Sequence, residues 1–174
     1  MIIGLGNPGP DYTDTRHNAG FWFLDRLITK HNTSFSADKK FFGDTARISL
    51  EGFDCRVLKP ETFMNNSGRA VKAITDYYGI EPDEVLIAHD EIDLDVGTIR
   101  IKIGGGHGGH NGLRDIIEQT GQNDFLRLRI GIGHPGHKDE VTNYVLVKPG
   151  TEAKKNIIES FRRFKFGCWT RVNQ

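Results

Sequence analysis

The chain opens on Met1-Ile2-Ile3-Gly4-Leu5 and runs at once into Gly6-Asn7-Pro8-Gly9-Pro10. This junction constrains the fold more than any other segment. A run so short and apolar is a buried strand, and the prolines and glycines behind it forbid continuation as strand or helix. The strand must end in a tight turn at the carboxyl edge of a sheet. Open α/β sheets take their ligands at that edge, and the turn is expected to project Asn7 into it.

The rest of the chain alternates between strand and helix patterns. Residues 18–31 carry Ala19, Phe23, Leu24, Leu27 and Ile28 at near-helical spacing, with Asn18 expected as the N-cap. Residues 41–50 and 54–58 flank Glu51-Gly52 and are expected to form a hairpin closed by Pro60. Residues 67–78 place Val71, Ile74, Tyr77 and Tyr78 on one helical face, with Gly79 at the C-terminal cap. Val85-Leu86-Ile87-Ala88 is a short apolar strand, and 98–103 alternates isoleucine with Arg100 and Lys102. A helix over 111–120, capped by Asn111 and ended by Gly121, precedes a strand over 126–132 with Arg127 and Arg129 on one face. The last helix is expected over 151–168, with Ala153, Ile157, Phe161, Phe164 and Cys168 as its apolar stripe. Alternating strands and helices predict an α/β layered fold, and the hairpin makes its sheet mixed rather than purely parallel. A chain of 174 residues suits a single domain spanning 1–174.

Charge narrows the function. The formal net charge is zero, with 23 basic and 23 acidic side chains, which taken alone argues against a nucleic-acid binder. The zero averages unlike halves: residues 1–95 hold 10 basic and 16 acidic side chains, and residues 96–174 hold 13 and 7. Such asymmetry marks either a nucleic-acid face or differently solvated surfaces. No apolar run is long enough to span a membrane, and the first residues show no secretory pattern. Cys55 and Cys168 lie far apart in unlike contexts and are expected as free thiols of a reducing cytoplasm.

Glycine is concentrated where chemistry is expected. Six of the 21 glycines fall in Gly104-Gly105-Gly106-His107-Gly108-Gly109-His110-Asn111-Gly112, a pattern that brings backbone close to a ligand. Gly4-Leu5-Gly6-Asn7-Pro8-Gly9 matches a dinucleotide fingerprint in letters only. Pro8, Gly9 and Pro10 block the helix that would have to receive a pyrophosphate. His107/His110 and His134/His137 have the short spacing of metal ligands but no helical i, i+4 geometry and no carboxylate or cysteine between them. Hydrogen bonding to a polar ligand suits them better. His17, taken alone, is a surface residue at a helix start. Asp90, at the end of a very apolar strand, is placed to orient an imidazole. No G-x-S-x-G elbow is present. A hydrolase made of these parts would activate water with a His–Asp pair and hold a carbonyl with asparagine amides.

Five segments, in order, resemble the signatures of bacterial-type peptidyl-tRNA hydrolases. They are Gly4-Leu5-Gly6-Asn7-Pro8-Gly9 with Tyr12 and Thr15-Arg16-His17-Asn18; Lys59-Pro60 with Thr62-Phe63-Met64-Asn65; His89-Asp90-Glu91-Ile92-Asp93-Leu94; the glycine loop through Leu113; and Arg127 to Pro135. Asp95 departs from the pattern, standing where many relatives carry proline. The resemblance implies a single α/β domain with a mixed twisted sheet between helices, of the peptidyl-tRNA hydrolase/phosphorylase-like kind. It implies cleavage of the ester joining peptide to tRNA, which recycles tRNA, by a cytoplasmic monomer that needs no metal or other cofactor. Residue by residue, it implies His17 as the base, Asp90 as its partner and Asn7 at the substrate carbonyl. Asn65 and Asn111 would bind substrate, Tyr12 and Phe63 would line the cleft, and Met64 and His110 would flank it. Arg100, Lys102 and Arg129 would meet tRNA phosphate. An RNA-binding protein of the same fold without hydrolysis is the alternative, and a metal-dependent amidohydrolase built on the histidine pairs is a third.

Overall fold

The computed structural model describes residues 1–168. Its elements run β1 (Ile2–Gly4), α1 (Ala19–Lys30), β2 (Ser36–Asp38), β3 (Gly43–Leu50), β4 (Phe53–Pro60), α2 (Ser67–Tyr78), β5 (Leu86–Glu91), β6 (Ile99–Ile103), α3 (Asn111–Thr120), β7 (Leu126–Gly131), α4 (Val141–Val145) and α5 (Thr151–Arg163). The strands form one sheet in the order β2-β3-β4-β1-β5-β7-β6. β1 pairs in parallel with β4 and β5, and β5 pairs in parallel with β7. The β2–β3, β3–β4 and β6–β7 pairs are antiparallel, so the sheet is mixed as expected.

Local chemistry explains the hairpin. Glu51 and Gly52 both adopt positive φ, 49° and 87°, which lets a two-residue loop turn with the twist of β3 and β4. Gly79 and Gly121 sit in the left-handed conformation at the ends of α2 and α3, as their positions predict.

Helices cover both faces of the sheet. Ile2, Leu24, Leu86, Leu128 and Ile157 belong to the core beneath α1 and α5, and Ile3, Leu58, Ile74, Ile87 and Ile116 to the core beneath α2 and α3. Each such side chain, fully buried, contributes about 1.5–3 kcal/mol.

The contact that positions the site is α1 against β1 and β5. A Cβ on Gly20 would strike the Ala88 carbonyl and the Leu5 backbone, and a Cβ on Gly4 would strike the Gly20 carbonyl. Only glycine allows this backbone-on-backbone approach. It brings the residues just before α1 against the carboxyl end of β5.

Two expectations need correction. The last helix ends at Arg163, because Phe164 turns extended (φ −70°, ψ 128°), although its ring still packs edge-on against Phe23. The short α4 lacks a period long enough to be read from sequence. Tyr77 and Tyr78 are not core residues: they are 57% and 38% exposed, under the cations of Lys40 and Arg56. Cys55 is a buried free thiol, whereas the side chain of Cys168 lies outside the described residues. No helix among the described residues is long and apolar enough to cross a membrane.

Candidate active site

A cleft of about 770 Å³ opens at the carboxyl ends of β1 and β5, where strand order departs in both directions from β1. Asn7, Tyr12, His17, Phe63, Met64, Asn65, Asp90, His110, Asn111, Lys102 and Arg129 all line it. Eleven of the twelve expected site residues therefore converge, and Arg100 is the exception.

His17 sits in a single 3₁₀ turn, Arg16–Asn18, immediately before α1. It is 8% exposed, so the surface reading of this residue is wrong. Its Nδ1 lies 2.9 Å from both carboxylate oxygens of Asp90. A carboxylate accepts only, so Nδ1 carries the hydrogen and the Nε2 lone pair is left for the cleft. Burial pushes the His17 pKa down, but the adjacent Asp90 charge and hydrogen bond outweigh it and the net shift is upward. Burial likewise opposes ionisation of Asp90, yet His17 and His110 together hold it far below the usual carboxylate range. The pair is thus a charged acceptor behind an oriented base.

Asn7 is held by its neighbours on three sides. Asn18 brackets its backbone, accepting from Asn7 N–H at 2.8 Å and donating Nδ2–H to the Asn7 carbonyl at 2.9 Å. This is a correction for Asn18, which makes no capping bond on α1 and instead braces the turn. The Asn7 Oδ1 accepts from Met64 N–H at 2.7 Å. With Oδ1 committed, the side chain offers its Nδ2 hydrogens to the cleft. Asn7 is itself buried, not projecting freely as the turn alone predicts.

The opposite wall comes from the turn before α2 and the glycine loop before α3. Met64 is buried, while Phe63 is exposed and meets Tyr12 edge-on at 6.0 Å. His110, not Asn111, caps α3: its Nδ1 accepts from Gly112 N–H and Leu113 N–H. Asn111 is the first helical residue, and its Oδ1 accepts from Arg114 at 3.1 Å. The His110 Nε2 lies 2.8 Å from Asp90 Oδ1. The histidine pairs do not act as pairs. His107 and His134 each accept from an amide two residues on, bracing their own turns.

Within the described residues, His17, Asp90 and His110 bring three potential ligand atoms within 4.8 Å of one another. Those atoms are already joined by hydrogen bonds to Asp90, and the proton of the His110 ring is forced onto Nε2 by the two amides at Nδ1. The donor set fits a hydrogen-bonded acid–base unit and not a metal site.

The third wall is cationic. The β6–β7 register sets Arg100 opposite Arg129 and Lys102 opposite Arg127. Like charges directly opposed destabilise a bare sheet. Glu91 relieves Arg129 through a 2.9 Å ion pair, which modifies the expectation that Arg129 stands free for phosphate. Arg127 was not anticipated. It is almost fully buried and donates to the carbonyls of Gly105, Gly106 and Asn123, so it straps the glycine loop to the sheet. The strand alternation that put Arg127 beside Arg129 was the available signal, but its glycine-loop partners lie 21 and 22 residues away in sequence and could not be read. Arg114 and Lys138 also line the cleft.

Known proteins place this geometry. The family model described as peptidyl-tRNA hydrolase matches residues 1–169. The peptidyl-tRNA hydrolase of Haemophilus influenzae is 59% identical over 86% of this chain and 77% of its own length. That of Halorhodospira halophila is 48% identical over 100% of this chain and 93% of its own. The crystal structure of peptidyl-tRNA hydrolase from Acinetobacter baumannii superposes with a TM-score of 0.89 at 49% identity, covering 92% of this chain and 82% of that one. A buried His–Asp pair facing asparagine amides, on a fold and sequence matched over nearly the whole chain, leads to one conclusion: the chain belongs to the peptidyl-tRNA hydrolase family.

Proposed function

We propose that this protein hydrolyses the ester between a peptide and the terminal ribose of tRNA, releasing peptide and reusable tRNA. The observation that carries the reading is the His17 Nδ1–Asp90 hydrogen bond, which leaves Nε2 as a base beside Asn7 in the cleft. Water is deprotonated at His17 Nε2 as it attacks the ester carbonyl, and Asp90 stabilises the imidazolium that forms. The Asn7 Nδ2 hydrogens meet the oxygen on which negative charge develops. When the tetrahedral intermediate collapses, the C–O bond to ribose breaks and the proton on His17 passes to the departing ribose oxygen.

Asn65 and Asn111 offer donor and acceptor groups that suit a peptide backbone, and Tyr12, Phe63 and Met64 supply apolar cleft surface. A free α-ammonium would leave such amides unpaired, which is how the site would reject aminoacyl-tRNA that carries no peptide. Lys102 and Arg129, with Arg100 further out, meet phosphate without reading sequence, as an enzyme for many tRNAs requires. In this reading the protein acts as a cytoplasmic monomer on 1–174 as one domain. An RNA-binding protein without hydrolysis would have no use for so closely paired an acid–base unit.

Peptide release from N-blocked aminoacyl-tRNA, against the unblocked ester as control, tests the reading. Turnover of the blocked substrate alone is expected, and equal turnover of both would remove the discrimination assigned to the amides. A chelator should leave the rate unchanged; loss of activity that added metal restores would revive the amidohydrolase.

A further inference from the structure

The reaction needs only one imidazole, yet three surround Asp90. His17 and His110 have ring centroids 5.0 Å apart, and His89 also stands 5.0 Å from His110, at 72° to it. His89 is held by local backbone through Nδ1, while its buried Nε2 has no hydrogen-bond partner among the described residues. Its Nδ1–H donates to the Asp90 carbonyl at 2.7 Å, and burial holds its pKa down to about 3, so it braces the end of β5 as a neutral ring. The cap on α3 accounts for Nδ1 of His110 but not for its Nε2, which meets Asp90.

We propose that His110 is a positioning residue of the hydrolytic pair: α3 locks its tautomer, and its Nε2–H shares the Asp90 carboxylate with His17 and so moderates the pull of Asp90 on the base. The proposal rests on the hydrolase reading above. Its geometry is specific. The His110 Nδ1 faces the amides of Gly112 at 3.1 Å and Leu113 at 3.3 Å, two of the donors that a helix N-terminus leaves without partners. A ring nitrogen facing two N–H groups must present a lone pair, so the hydrogen sits on Nε2, an assignment made from partners. That hydrogen points at Asp90 Oδ1 across 2.8 Å, and the same oxygen lies 2.9 Å from His17 Nδ1.

A carboxylate that already accepts from a second N–H is a weaker partner for the imidazolium. Without His110, Asp90 would pull harder on protonated His17, and the base would become neutral only at higher pH. The second hydrogen bond also stops the carboxylate from turning away from His17. Several titratable and charged groups surround this arrangement, with Tyr12, Asp93, Lys102, Arg127 and Lys138 also lining the cleft. Asp90, His89 and Glu91 come from β5, Arg129 from β7 behind Glu91, and His17 from the turn before α1. His107 and Arg114 come from the loop and helix that carry His110.

His110→Asn separates this role from folding, since asparagine is among the best helix N-caps but too short to reach Asp90. The acid limb of kcat/KM is expected to move up by about one pH unit, tenfold in the neutral fraction of His17. KM for N-blocked aminoacyl-tRNA should stay unchanged. An unmoved limb with a raised KM would make His110 a substrate contact and overturn the proposal. Ring ¹⁵N–¹H spectra of the parent protein read the tautomer without substrate: hydrogen on Nε2 is expected, and hydrogen on Nδ1 overturns the proposal even if the variant fails to fold. A parent enzyme inactive on the blocked substrate would overturn the hydrolase reading instead, independently of the tautomer.

Discussion

On the β1–β5 wall of the cleft, Asn7, His17 and Asp90 are almost sealed from solvent, and each is held by hydrogen bonds from a different segment. On the β6–β7 wall, Lys102 stands in solvent opposite Arg127, and Arg100, outside the cleft, stands in solvent opposite Arg129, like charge facing like charge. The first wall fixes atoms to fractions of an ångström in a low dielectric, where each polar contact counts fully. The second holds cations that salt screens and that tolerate imprecise placement. Reaction chemistry needs the first kind of surface, and attachment to a polyanion of variable sequence needs the second.

The largest effect should come from the buried wall. His17→Ala is expected to lower kcat by about 10²–10⁴-fold, the range for a general base, with tRNA affinity nearly intact. Full turnover in that variant would end the contrast between the walls. Gly20→Ala tests how the wall is assembled. Its Cβ would collide with the Ala88 carbonyl, so urea unfolding should register a loss of about 1–3 kcal/mol, typical of overpacking. Activity should fall with it as His17 is pushed off Asp90; unchanged stability and rate would mean the close approach is dispensable.

The pH profile comes next. The base must be neutral, and the Asp90 partnership raises the His17 pKa above its ordinary value of 6.5. kcat/KM should therefore fall as pH drops through a point above 6.5, while Asp90 stays ionised throughout. A rate that stays flat down to pH 5 would exclude His17 as the base. The smallest effects belong to the exposed wall. Lys102→Ala should weaken tRNA binding and reduce the salt slope by about one, with kcat unchanged at saturation. Arg129→Ala should do less, because Glu91 already occupies its guanidinium. A larger loss for Arg129 would show that the ion pair opens on tRNA binding.

Much of this was legible beforehand because it is local. The hairpin followed from Glu51-Gly52, the helix ends from Gly79 and Gly121, and the strand end that carries Asp90 from the apolar run before it. The family signatures pointed to His17 and Asn7, which the structure brings to one cleft. What escaped depended on partners distant in sequence. Asn18 looked like a cap from its position, but the Asn7 backbone eleven residues away claimed its side chain. Asn111 looked like the cap of α3 until the His110 ring turned back onto the helix. Tyr77 and Tyr78 had the spacing of a core face, but Lys40 and Arg56 lie over them on the surface.

The zero net charge shows the same division. Sequence alone determined that the basic surplus lies beyond residue 95, that strands and helices alternate, and which imidazole and carboxylate are available. Periodicity, turn chemistry and motif spacing are properties of neighbouring residues. Tertiary structure decided that Asp90 serves two histidines, that Arg129 is half-satisfied by Glu91, and that Arg127 holds a loop. These outcomes depend on distances of about 3 Å between segments far apart in the chain, and His17 reaches Asp90 only because Gly4 and Gly20 let α1 settle onto the sheet.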